Sequence, residues 1–279
     1  LVASLSATPL QLGADPQRTA FRVCADPNYL PYSSREGQGF ENRLAEILAK
    51  HMGLPVEYTW FPQRMGFIRN TLRAKDPASK TYKCDIVMGV PDGFELAITT
   101  DPYYRSTYAL VYLKGNGLDG VRSTQDLLDM DEARRGALRI GVSERSPGAR
   151  WLAKYGLYAQ MVPYIAQSGD PGEYPGEATE KDLLAGEIDA AILWGPIAGY
   201  LAKRAKDNGR EVVLVPMRSE PGVRFHYAIS AGVRFGEKAW KNQVDALLKQ
   251  DTDKIAELLK AYNVPLVDEN GTVVETATR

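Results

Sequence analysis

Two short apolar runs, CDIVMGV (residues 84–90) and IDAAILW (residues 188–194), constrain the fold most strongly. Each has the length of one strand and is apolar at nearly every position. A strand with one face in water alternates apolar and polar residues, whereas a strand covered by helices on both faces does not. Each run is therefore expected to be the central strand of its own helix-flanked sheet. The sequence before the first run agrees: a strand at AFRVCAD, a helix at FENRLAEILAKHMG, a strand at PVEYTWF and a short helix at MGFIRNTLRA. The first of these helices carries Leu44, Ile47, Leu48 and Met52 on one stripe and stops at Gly53. Strand alternating with helix is the grammar of a parallel α/β lobe.

An extended segment, STYALVYLKG (106–115), leads out of this lobe, and the grammar then restarts. TQDLLDM, PGARWLAKYG, ATEKDLLAGE and PIAGYLAKRAKDNG read as helices, the third opening on a threonine cap. ALRIGVS, AQMVPYI and EVVLVPM read as strands around the second apolar run. VRFHYAISAGVRFG is a second extended segment, and the amphipathic helices EKAWKNQVDALLKQ and TDKIAELLKAYN after it are expected to pack on the first lobe. The predicted fold class is α/β, with two lobes, each a mostly parallel sheet flanked by helices, joined by two crossing strands. Lobe I is expected from 18–112 and 225–268, lobe II from 113–224, and loose termini at 1–17 and 269–279. Two thin connections near 106–115 and 222–230 would let the lobes move.

Charge and composition exclude several function classes. With 34 basic and 35 acidic residues, the chain has no basic field for nucleic acid or anionic lipid. No apolar run approaches the ~20 residues that span a bilayer, and a monomer is expected. The start, LVASLSATPLQLGADPQRTA, has no initiator Met and no basic leader region, and reads as a mature end after export and signal-peptide removal. There are two cysteines, Cys24 and Cys84, each on or beside an expected strand. They are either buried thiols or, if those strands are neighbours, a disulfide with Cα atoms roughly 5.5–6 Å apart. The disulfide is the expectation, and it needs an oxidising compartment. With only His51 and His226 besides, a cysteine- or histidine-based metal site is not expected. DPGEYPGEATEKD lacks calcium-loop spacing and reads as an exposed loop. No nucleophile elbow, P-loop or dinucleotide fingerprint occurs, so enzyme activity is not expected.

FRVCADPNYLPYS, GFENRLAEILAK, CDIVMGVPDGFELAITTDPYY and GEIDAAILWGPIAGYLA together resemble the type II periplasmic solute-binding proteins of the amino-acid-receptor kind, over roughly residues 20–265. That resemblance implies two lobes, two hinge strands and a ligand cleft between the lobes. The longer motifs DPNYLPYS, TWFPQRMGFIRNTL, CDIVMGVPDGFELAITTDPYYRSTYALVY and ILWGPIAGY are similar, more narrowly, to the accessory proteins of quinoprotein methanol dehydrogenases, the MxaJ/XoxJ group. This narrower resemblance implies a periplasmic protein without a cofactor of its own. It implies as partner a methanol dehydrogenase carrying pyrroloquinoline quinone (PQQ) and either calcium or a lanthanide. It further implies a part in maturation or activation, and preference for the apo form is expected of this chain.

The chain departs from the amino-acid receptors where they hold their ligands. The receptor arginine that grips the ligand carboxylate aligns with Gly93, and the aspartate that holds the amino group aligns with Trp194. The loop Ser143-Glu144-Arg145-Ser146-Pro147-Gly148 replaces a Gly-Thr turn, and Pro147 offers no N–H. Free α-amino acids are therefore not expected to bind. The candidate cleft residues are Asp26, Ser143, Ser146 and His226, the aromatics Tyr29, Tyr32, Trp60, Phe61, Tyr103, Tyr104 and Trp194, with Met88, Arg64 and Arg105. Each aromatic could instead serve packing, and Asp26 a turn. As a group they suit a peptide or partner loop, or else a hydrophobic small molecule. The alternative function is a solute receptor of an ABC transporter for a ligand other than an amino acid. A dehydratase of the same fold is a third possibility, disfavoured by glycine at position 93.

Overall fold

The computed structural model describes residues 18–166 and 170–274. The expectations for residues 1–17 and 275–279 lie outside the described residues. In chain order the first part runs β1 (Phe21–Ala25), β2 (Asn28–Tyr29), β3 (Ser33–Ser34), α1 (Phe40–Met52), β4 (Val56–Trp60), α2 (Phe67–Asn70), β5 (Ile86–Pro91), β6 (Ile98–Thr99) and β7 (Tyr104–Leu113). It continues through α3 (Thr124–Leu128), α4 (Glu132–Gly136), β8 (Ile140–Ser143), α5 (Pro147–Lys154), β9 (Met161–Tyr164), α6 (Glu177–Ala185), β10 (Ala190–Trp194), α7 (Gly195–Asp207), β11 (Val212–Pro216), β12 (His226–Val233), α8 (Lys238–Gln250) and α9 (Thr252–Ala261).

Both apolar runs become inner strands. β5 lies between parallel β1 and antiparallel β12, and β10 lies between parallel β8 and antiparallel β7. The two lobes meet in β7, which changes partner along its length. Tyr104–Thr107 pair with β12, whereas Tyr108–Leu113 pair with β10 and β11. The lobe I core packs Phe21, Leu44 and Leu48 with Trp240, Val244 and Leu259, so the returning helices α8 and α9 close the first lobe as expected. Lobe II holds separate clusters around Trp151 and Leu193 on the two sides of its sheet.

The cysteines form a disulfide with Cα atoms 5.4 Å apart. Neighbouring strands cause this: Cys24 lies opposite Val87 in the parallel β1–β5 pair, and Cys84 stands just before β5. Beside the bridge, the buried carboxylate of Asp85 accepts from Arg22 Nε at 2.8 Å and Arg234 Nη2 at 2.6 Å, and pairs with Arg18 Nη1 at 2.6 Å. Arg234 also donates to the carbonyls of Leu72 and Cys84. A buried acid thus joins three strands' ends, and two of its cations, Arg22 and Arg234, donate further to backbone carbonyls, which helps a fold tolerate buried charge.

Three local expectations are corrected. The helix expected from 65–74 is a single turn, α2, because Gly66 sits in the left-handed region at φ 88° and Thr71 leaves helical geometry. α6 is capped by Gly176, not by a threonine, and Thr179 is buried inside the helix. The C-terminal segment is not loose as far as residue 274. Val267 bridges Val273, Val274 N–H donates to Leu266 O, and Asp268 Oδ1 accepts from the N–H groups of Asn270 and Thr272. Ser106 Oγ also donates to Pro265 O at 2.7 Å, so this segment is tied to the crossing strand β7. α7 of lobe II lies on the same segment. Any Cβ at Gly199 would stand 2.1 Å from Asn263 O, so glycine is required for that approach.

Candidate functional site

The cleft between the lobes has two connected parts. An outer part of about 780 Å³ runs between the loop around Gln63 in lobe I and the α5, α6 and β9 ends in lobe II. An inner chamber of about 310 Å³ lies against β1, α1 and β5. Asp26, Tyr29, Gln63, Tyr108 and Trp194 border both. Across the cleft, Asn28 Nδ2 of lobe I donates to Pro171 O of lobe II at 3.2 Å.

Asp26 directly follows β1 and borders the chamber, and its carboxylate is already engaged. Oδ1 accepts from Asn28 N–H at 2.8 Å, and Oδ2 accepts from Gln63 N–H at 2.5 Å. It therefore pins two loops, which is the turn role open to it from sequence. Tyr29 and Tyr32, in and after the β2 hairpin, stack obliquely with centroids 5.0 Å apart and both line the chamber. Met88 and Tyr104 line it from β5 and β7, and Trp194 from the end of β10. Trp194, Tyr108 and Tyr227 form a triangle of inclined rings with centroids 5.4, 6.4 and 5.9 Å apart. Arg64, Ser143 and Ser146 border the outer part only, with Glu144 and Arg145. Ser146 is the N-cap of α5, its Oγ accepting from Ala149 N–H at 3.2 Å, and Pro147 fills the first helical position.

The other candidates do not border either part. Trp60 is on the edge strand β4, stacked on Tyr58 at 4.5 Å. Phe61 packs against Phe67 in the small core around the disulfide. Tyr103 precedes β7, and its hydroxyl accepts from Gly89 N–H at 3.2 Å behind the chamber lining. Arg105 alternates to the side opposite Tyr104 and pairs with Glu269 at 3.4 Å. His226 is held by Ser219 Oγ at 2.8 Å and covered by Gly271. Gly93 occupies a surface turn at φ 74° and is exposed. His51, in the last turn of α1, pairs with the buried Asp251 at 2.5 Å.

Tyr108, Tyr227 and Glu41 are among the lining residues absent from the sequence candidates. Tyr108 and Tyr227 carried a usable signal: Tyr108 shares a face of β7 with Tyr104 by the two-residue strand period, and Tyr227 shares one of β12 with Ile229. Glu41 had none, since an acid in the first turn of a helix reads as ordinary dipole pairing. Yet Glu41 is the unusual group here. It borders the chamber, and burial pushes its carboxyl up to about 8, overriding the favourable helix end. Burial, with Tyr103 and Glu41 nearby, also holds the Tyr104 hydroxyl well above its ordinary value, and burial beside Tyr227 pushes Tyr108 up to about 12. The Tyr32, Tyr104 and Tyr108 hydroxyls are therefore neutral. Among the described residues, no group of three or more His, Cys, Asp or Glu side chains is placed to hold a metal ion. No described helix is long and apolar enough to cross a membrane.

No family model matches the sequence. In structure the chain is similar to the periplasmic binding protein XoxJ from Methylobacterium extorquens AM1, with 32% identity and a TM-score of 0.70 over 90% of this chain and 100% of that one. It is 25% identical to protein MoxJ of Methylorubrum extorquens, covering 91% of this chain and 84% of the relative. It is also 25% identical to protein MoxJ of Paracoccus denitrificans, covering 89% and 90%.

Proposed function

The chain belongs to the family of the periplasmic binding protein XoxJ, and from that premise we propose that it is a periplasmic accessory factor of a PQQ-dependent methanol dehydrogenase. One observation carries the reading away from amino-acid reception: among the described residues no arginine or lysine lines the inner chamber, and Arg64 and Arg145 border only the outer part. A receptor for free α-amino acids needs a cation for the carboxylate, and a charge-assisted bidentate grip has no substitute among tyrosines and aliphatic groups. What the cleft offers is aromatic surface, with Trp194 at the junction of its two parts. Aromatic anchors in a recess are what protein interfaces use. On this reading a segment of the dehydrogenase enters the cleft, the apo form is preferred, and the outcome is maturation or activation. Calcium and lanthanide enzymes are both admissible partners.

The test is capture of the purified dehydrogenase, in apo and holo forms, on the immobilised chain. Preferential retention of the apo form is expected. Retention of neither form returns the second reading, a solute receptor, to first place. The smaller part of the cleft favours that reading, because about 310 Å³ is the size of a small-molecule site.

A further inference from the structure

The charge balance of the inner chamber is one-sided. Among the described residues, its wall includes two carboxyl groups, Asp26 and Glu41, and no arginine, lysine or histidine. The two acids are not equivalent. Asp26 has both oxygens occupied by backbone N–H donors. The Glu41 carboxyl receives no hydrogen bond and no ion pair from any described residue, although it stands in contact range of the Gly89 backbone. The titratable groups that feel its charge are the hydroxyls of Tyr32, Tyr58, Tyr103 and Tyr104. Glu41 is only partly covered and borders the chamber, so a ligand lying there can reach its carboxyl. Around it, Tyr29, Tyr32, Tyr104, Tyr108, Trp194 and Tyr227 present rings to the same space. Ring faces carry negative potential and attract cations, most strongly where water is excluded. An acid without a partner inside a box of aromatic rings is complementary to a positive charge on a compact organic head.

We propose that the inner chamber binds a small organic cation, an alkylammonium or guanidinium head, with Glu41 as its counter-ion and the tyrosine and Trp194 rings as its cage. The head could come from a free amine or from a lysine or arginine side chain of a protein segment. The chemistry is the same for both. The inference stands on the chamber and does not depend on the dehydrogenase partnership. It also fits the missing carboxylate grip, since such a ligand needs none.

Titration calorimetry of the full chain provides the test, with methylammonium, trimethylammonium and guanidinium as free probes and capped lysine and arginine amides as side-chain probes. Saturable binding of at least one probe is expected, weakened tenfold or more in Glu41→Gln. A fold check on that variant is supplied by its thermal transition. A second reading needs no variant. Binding must ionise Glu41, so affinity rises between pH 6 and pH 8 and, near pH 7, roughly 0.9 proton is released per cation bound. Comparing buffers of different ionisation enthalpy measures that release. Binding of the free probes alone assigns a metabolite source, and binding of the capped side chains alone assigns a protein segment. No saturable heat from any probe at about 10 mM, a weaker affinity at higher pH, or equal binding by a folded Glu41→Gln variant overturns the proposal.

Discussion

Gly89 leaves no room for a side chain beside Glu41: a Cβ built on Gly89 would stand 2.2 Å from Glu41 Oε1. The glycine also lies at φ 68°, inside strand β5, where L side chains are strained. The backbone is thus kept bare at the point where the chamber's acid lies. Gly89→Ala must both strain the strand and push the carboxyl away. A loss of about 2 kcal/mol in urea-unfolding stability is expected.

Glu41 makes stability depend on pH in a definite direction. Its folded carboxyl titrates at about 8, above the ordinary carboxylate range of the unfolded chain. Below that ordinary range both states are protonated and nothing is lost. Between roughly pH 4.5 and 8 the unfolded chain ionises while the folded one resists, so stability falls as pH rises, on the order of 2–4 kcal/mol in total. Glu41→Gln should remove this slope and be the more stable protein near pH 8. Unfolding midpoints of both proteins across that range give the comparison; parallel curves would refute the assignment.

The disulfide closes a loop with a sequence separation of 60 between Cys24 and Cys84. Restricting the unfolded chain over such a loop stabilises by about 4 kcal/mol in the chain-entropy account. The Cys24→Ser, Cys84→Ser double variant should lose that much in denaturant unfolding. Alkylation without reduction, followed by intact-mass analysis, should find no reactive thiol in the wild type.

Asp85 faces Arg18, Arg22 and Arg234 from a position 1% exposed. Asp85→Ala strands those guanidinium groups around a cavity, and a cost of about 3–5 kcal/mol is expected. Calorimetric unfolding measures it. A change under about 1 kcal/mol would mean that water takes over the carboxylate's role.

Much of the fold was legible because it rests on patterns longer than one residue. The runs around Ile86 and Ile192 are apolar on both faces, and only an inner strand satisfies that. Cys24 and Cys84 followed from the same logic, since strand adjacency fixes their distance. The cleft was legible in part. Tyr104, Met88 and Trp194 stand at strand positions whose neighbours point into sheet faces, and the structure puts them on the chamber wall. Trp60 and Phe61 could not be sorted from them, because β4 proved to be an edge strand and sequence does not give strand order. Arg105 and His226 differ from their lining neighbours only in strand phase. Glu41 was invisible for a different reason: its environment is made by Gly89 and by tyrosines far along the chain.

The central claim is that the dehydrogenase engages the aromatic cleft, and the direct measurement is the dissociation constant of the apo-dehydrogenase for the wild-type chain and for Trp194→Ala, Tyr227→Ala. Both rings line the chamber and are 5.9 Å apart. Removing paired aromatic anchors from an interface centre costs about 2–4 kcal/mol, so a loss of affinity of roughly 30-fold or more is predicted, with the holo form binding more weakly throughout. An unchanged dissociation constant in a folded double variant would contradict the account and move the partner's contact to another face.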